Sequence, residues 1–115
     1  MSAITDLTSK LIQFRNDRDW AQFHRPKDLA ISMSLEAGEV LEHFQWKSEE
    51  EIKEYIKTHQ EEIGDELADV FNYLLIMCHD FGIDLAAASE RKTEKNAKKY
   101  PVEKSKGNHM KYSEL

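Results

Sequence analysis

The chain of 115 residues has one cysteine, two prolines and four glycines. Each scarcity excludes something. With Cys78 as the only thiol, no intrachain disulfide can form, and nothing points to secretion. Six turn-forming residues are too few for a many-stranded β domain, which needs a turn every few residues. Val occurs three times and Thr four, whereas Glu, Leu, Lys and Ala dominate, a helix-forming composition. No apolar run approaches the ~18 residues of a membrane span. The opening Met1-Ser2-Ala3-Ile4-Thr5-Asp6 lacks a basic n-region and an apolar h-region, so no signal peptide is expected. A Gly-rich phosphate loop, a C-x-x-C pair and a Ser/His/Asp order are also missing. These absences predict a single all-α, cytoplasmic domain with no membrane partner.

The net charge is −6, and it is unevenly spread. Residues 1–90 carry 19 acids and 8 bases, whereas residues 91–115 carry 8 bases and 3 acids. An acidic body excludes broad nucleic-acid binding, which requires a basic face. It also looks hostile to any phosphate-bearing ligand.

Hydrophobic periodicity divides the chain into helices. Ile4, Leu7, Leu11 and Phe14 predict a first helix of about four turns, which fades into the charged run Arg15–Asp19. A second helix is expected from Asp28 to Trp46, apolar on several faces through Leu29, Met33, Val40, Phe44, Ile31 and Leu41, and therefore central. Ser48-Glu49-Glu50-Glu51 reads as a capping box that opens a short helix. Thr58-His59-Gln60-Glu61 reads as a second box. It would open the most regular segment, Ile63, Leu67, Val70, Leu74, Met77 and Phe81. Gly82 is its expected C-cap and Asp84 the N-cap of a last helix over about 85–99, ended by Pro101. The expected architecture is an antiparallel four-helix-type bundle with a short connector helix. It would occupy residues 1–102, with a polar tail over 103–115. A core this thin favours assembly into oligomers.

Four acids stand where apolar residues are expected. Glu36 and Glu39 lie at the edge of the second helix's apolar stripe, and Glu66 and Asp69 border the seam of the long helix. Two helices thus each bring an acid pair toward a shared interface, where like charges on facing helices are costly. No Lys or Arg lies within either helical segment to offset them. An all-oxygen carboxylate cluster is what a hard divalent ion such as Mg²⁺ selects; the plain alternative is a solvated acidic face. A di-iron bundle would require Glu-x-x-His motifs, and the third residue after Glu36 is Glu39, after Glu66 Asp69.

At these residues the chain resembles the MazG-like, all-α nucleoside triphosphate pyrophosphohydrolases, and is most similar to the dCTP pyrophosphatase branch. The family pattern of E-x-x-E followed by E-x-x-D is matched by Glu36-Ala37-Gly38-Glu39 and Glu66-Leu67-Ala68-Asp69. The branch-like words are Arg18-Asp19-Trp20, Gln22-Phe23-His24, Phe44-Gln45-Trp46 and Lys99-Tyr100-Pro101. The similarity runs over about residues 5–102. It implies Mg²⁺-dependent hydrolysis (Mn²⁺ as a substitute) of a dCTP-like nucleoside triphosphate to monophosphate and pyrophosphate, as house-cleaning of the nucleotide pool. By the same resemblance Glu36, Glu39, Glu66 and Asp69 hold the metal, with Glu36 or Glu39 positioning the attacking water. The triphosphate would be contacted by Lys92, Asn96, Lys99 and Tyr100, which share one helix face, and Tyr73 would abut the substrate. Trp20 and Trp46, with His24 beside the first, are the base-stacking candidates. Relatives of this type assemble as homodimers or homotetramers. Leu11 departs from the branch, which has a histidine there, and this leaves the preferred base open. Outside the resemblance, the long seam also suits a non-catalytic helical interaction module.

Overall fold

A computed structural model describes residues 2–115, and every regular element in it is helical. In chain order these are α1 (Ala3–Asp17), a 3₁₀ turn (Ala21–Phe23), α2 (Pro26–Glu42), α3 (Glu49–Thr58), α4 (Gln60–Phe81), α5 (Leu85–Lys99), α6 (Val102–Ser105) and a closing 3₁₀ turn (Tyr112–Glu114). The expected four principal helices and connector are therefore present. None of the described helices is long and apolar enough to cross a membrane.

Local chemistry sets most boundaries. The Ser2 hydroxyl accepts from the Thr5 amide at the start of α1, and the Asp84 carboxylate accepts from the Ala87 amide at the start of α5. Both halves of the Ser48–Glu51 capping box form, at 3.2 and 3.1 Å. Gly82 closes α4 at φ 69°, a left-handed conformation that glycine enters without a Cβ penalty.

Two boundaries differ from expectation. The helix expected to reach Trp46 ends at Glu42, and residues 43–46 form a turn that leaves Trp46 at φ 67°. Neither Gly nor Pro causes this. The His43 and Phe44 amides tighten onto the Val40 and Leu41 carbonyls, and the His43 ring is engaged by α3. The second capping box does not form. Thr58 belongs to α3, where its hydroxyl donates back to the Glu54 and Tyr55 carbonyls, and His59 is the junction before α4.

The chain divides into two compact units, one ending at Gly82 and one spanning Ile83–Leu115. In the first, α4 is the organising helix, with α2 packed extensively along it and α1 and α3 also against it. Among the described residues the buried apolar side chains are few: Leu29 on α2 and Leu75 on α4 are fully buried, and Ile76 and Cys78 on α4 nearly so. Burial pushes the Cys78 thiol above its ordinary value, so it is an inert packing group. Arg15 is the one charged side chain buried with them. In the second unit, α5 precedes a segment in which Tyr100 and Tyr112 meet edge to face at 6.0 Å and Lys99 Nζ lies 4.8 Å from the Tyr112 ring centre. Part of the region expected as plain tail is thus folded against the end of α5.

Candidate active site

The i, i+3 spacing of each acid pair puts both members on one helix face, and α2 packs along α4. Glu36, Glu39, Glu66 and Asp69 consequently converge, with one oxygen from each within 4.8 Å of all the others. Glu36 and Glu66 are half-buried, while Glu39 and Asp69 are exposed. Burial, above all, raises the Glu36 carboxyl above its ordinary range, followed by the adjoining Glu39 carboxyl and the charges of Asp69 and Glu66. Glu66 is raised chiefly by the adjoining Glu39 carboxyl, then by burial, with the nearby His43 opposing.

The cluster fits a hard divalent cation by two observations. Glu36 Oε2 is buried without a hydrogen-bond partner. Moreover, no Lys or Arg among the described residues pairs with any of the four acids; the only ion-pair partner is His43, 3.8 Å from Glu66. Concentrated negative charge, an orphaned acceptor and an all-oxygen donor set match the preferences of a hard divalent cation.

A cavity of about 490 Å³ opens beside this cluster. Leu7, Leu11, Phe14 and Trp20 form its apolar side, and Lys10, His24, Asn72 and Tyr73 bring polar groups. Asp69 lines the cavity while also belonging to the carboxylate quartet. Trp20 stands edge to face on Phe14 at 5.8 Å, and the Arg18 guanidinium caps the Phe14 ring at 3.6 Å. Arg15, also on the cavity lining, donates two parallel hydrogen bonds to Asp80, at 2.8 and 2.9 Å. Asp80 is held below the ordinary carboxylate range chiefly by that guanidinium, and the Arg15 pKa is raised in return. Arg15 Nη1 also lies 3.5 Å from His24 Nδ1. Desolvation first, and the Arg15 charge second, lower the His24 pKa and favour its neutral ring.

Of the residues singled out from sequence, the structure gathers the four acids, and it places Trp20, His24 and Tyr73 around one cavity. Trp46 does not line it: the side chain is 91% exposed on the turn after α2. Lys92, Asn96 and Lys99 lie on α5 in the second unit, with Tyr100 as its C-cap. Sequence reasoning passed over Arg15, Asp80, Lys10 and Asn72. Arg15 stands four residues after Leu11 and one after Phe14, so it borders the apolar stripe, and that placement was its only signal. Nothing local links it to Asp80, 65 positions away.

A sequence model of the MazG-like family matches residues 31–115. The chain belongs to the MazG-like family. Its relatives include dCTP pyrophosphatase 1 of Bos taurus, 34% identical over 114 residues, covering 97% of this chain and 68% of that protein. The Homo sapiens protein of the same name is 32% identical over 97% of this chain and 67% of its own length. Among solved structures, a pyrophosphatase from Archaeoglobus fulgidus DSM 4304 superposes with a TM-score of 0.83 at 41% identity, covering 88% of this chain and 94% of that one. These MazG-like relatives are enzymes, which displaces the alternative of a non-catalytic helical module.

Proposed function

We propose that this MazG-like protein hydrolyses a deoxynucleoside triphosphate of the dCTP type, with Mg²⁺ or Mn²⁺, to the monophosphate and pyrophosphate. That it is a nucleoside triphosphate pyrophosphohydrolase rests on its family and on curated relatives named dCTP pyrophosphatase. The finer reading rests on one observation: Asp69 lines an aromatic cavity and belongs to an acid cluster with which, among the described residues, no Lys or Arg forms an ion pair. A base seated in the cavity therefore has its phosphates beside the quartet.

Glu36, Glu39, Glu66 and Asp69 would hold the metal. When bound, the ion offsets the charge on the triphosphate and on the pyrophosphate that leaves. The chain's own residues do the rest. Glu36 or Glu39 positions the water that attacks the α-phosphorus and takes up its proton. Bond formation to that water oxygen breaks the bridge between α- and β-phosphates. Trp20 offers a flat apolar face for the base, with His24 and Tyr73 as polar neighbours on the cavity wall. Leu11 contributes no hydrogen bond, so a base is selected there by shape and by Lys10 and Asn72 instead. For the phosphate oxygens the family resemblance assigns Lys92, Asn96, Lys99 and Tyr100, and for base stacking it adds Trp46. Leu35 and Leu41 on α2 and Leu67 on α4 are more than half exposed, which supports a homodimer or homotetramer in which a second copy covers them.

The deciding experiment is a panel of canonical and modified deoxynucleoside triphosphates, with pyrophosphate release measured under Mg²⁺ and under Mn²⁺. Release from a pyrimidine triphosphate, abolished by chelation and by Glu39→Ala, is the expected result. No release from any member of the panel, with Glu39→Ala indistinguishable from the parent, would overturn the reading.

A further inference from the structure

Around Tyr55, outside the cavity, three helices meet at a cluster of aromatic and titratable groups. His43, the C-cap of α2, turns its ring into the space between α3 and α4, where the side chain is only 14% exposed. Its Nδ1 lies 2.6 Å from the Tyr55 hydroxyl of α3, and its Nε2 lies 3.8 Å from Glu66 Oε1 of α4. Tyr55 is itself braced. The His59 ring stacks on it at 3.9 Å and 8°, and Lys47 Nζ, just after the turn that follows α2, sits 4.4 Å from its ring centre. The early end of α2 is what frees His43 to enter this cluster.

A phenol that donates to Nδ1 leaves the ring proton on Nε2, the nitrogen that faces Glu66. A separation of 3.8 Å is too long for a hydrogen bond, but in that tautomer the N–H dipole still faces the carboxylate in a half-buried setting. Among the described residues no other side chain forms an ion pair with any member of the quartet. Ligating carboxylates depend on such neighbours for their orientation, and losing one typically weakens metal binding by ~10–100-fold.

We infer that His43, held by Tyr55, is a positioning residue that orients the Glu66 carboxylate for the divalent cation; this rests on the metal reading of the quartet given above. The Tyr55–His43–Glu66 chain couples α3, an element with no residue in the quartet, to the geometry of the metal site. It also makes His43 distinct from Glu36, Glu39, Glu66 and Asp69, because it acts only through one of them.

The test is Mn²⁺ binding to the nucleotide-free protein at a fixed pH, followed by electron paramagnetic resonance, for the parent, His43→Leu, His43→Gln and Tyr55→Phe. His43→Leu keeps an apolar filler of similar size and is expected to weaken Mn²⁺ about tenfold, the low end for such a contact. His43→Gln, which retains an N–H donor, should recover most of that loss, and Tyr55→Phe should fall between the parent and His43→Leu. The Mg²⁺ concentration needed for half-maximal activity should rise in the same order. Mn²⁺ affinity in His43→Leu within twofold of the parent, with only its melting temperature lowered, would overturn the inference and leave the metal site intact. A parent that binds no Mn²⁺ would instead overturn the metal reading itself. Should His43→Leu fail to fold, Tyr55→Phe carries the decision, since it removes a single oxygen.

Discussion

The Arg15–Asp80 pair offers the sharpest quantitative test of how this fold holds its cavity. Arg15 is 7% exposed and the Asp80 side chain 23%, and the two share two charge-assisted hydrogen bonds at 2.8 and 2.9 Å. Asp80→Asn would leave the guanidinium buried opposite a neutral amide that can accept at only one of the two positions. Breaking a buried pair from one side costs ~3–5 kcal/mol, and partial exposure of Asp80 places this case near the lower end, about 3 kcal/mol. For a domain of this size that is a fall in melting temperature of about 10–20 °C. The double change Arg15→Met with Asp80→Leu removes both charges together and should lie within about 1 kcal/mol of the parent, because no buried ion remains uncompensated and His79, the other partner of Asp80, is exposed to solvent. Thermal and urea unfolding of the parent, the single and the double variants measure this directly. Asp80 has a depressed folded pKa, so its contribution is present above the ordinary value near 3.8 and is lost as pH falls through the lower folded value. Asp80→Asn should lack that acid-side loss. A single variant within about 0.5 kcal/mol of the parent, or a double variant as unstable as Asp80→Asn, would refute the claim that the cost lies in the orphaned charge.

Trp46→Gly separates stability from function. It relieves a left-handed backbone worth ~1–2 kcal/mol for a residue with a Cβ and loses ~0.5–1 kcal/mol to glycine entropy. Unfolding should therefore shift by no more than about 1.5 kcal/mol, while kcat/KM drops if the indole stacks on the base; an unchanged kcat/KM would remove Trp46 from the site. Trp20→Ala should raise KM by about threefold to tenfold, the range of one aromatic contact, with kcat nearly unchanged, and a fall in kcat alone would contradict a binding role. His24 has a lowered folded pKa, so its contribution is present above the ordinary value of 6.5 and is lost as pH falls through the lower folded value. The melting temperature of the parent should accordingly decline below pH 6.5 more steeply than that of His24→Gln, and parallel profiles would refute the assignment.

Much of the local structure was legible because its causes are local. Ser48, Gly82 and Asp84 each act within one helical turn, and their caps form as expected. Thr58 shows the limit of the same logic. Its hydroxyl had two uses, capping the following helix or bonding back to the Glu54 and Tyr55 carbonyls of its own, and the pattern of residue types does not separate them. Trp46 shows a different limit. The apolar pattern of α2 continues through Phe44, yet the helix ends at Glu42 and the His43 ring is bonded to Tyr55 of α3. The acid quartet was legible because i, i+3 spacing fixes a face whatever the partner helix does. Arg15 and Asp80, 65 positions apart, were not, since each alone reads as an ordinary surface charge.

An acidic body with four carboxylates converged within 4.8 Å is not hostile to phosphate when a divalent ion stands between, and it still excludes a long polyanion. By itself the sequence determined the helical class, three of the caps, the family and the two acid pairs, because composition, spacing and one-turn hydrogen bonds act over a few residues. Only the tertiary structure decided that the pairs meet beside a cavity walled by α1 and α4. It also decided that Trp46 stands outside that cavity, and that Arg15 and His43 are held by Asp80 and Tyr55. Those outcomes depend on which helix faces come together, and packing between distant segments is settled only when the whole unit folds.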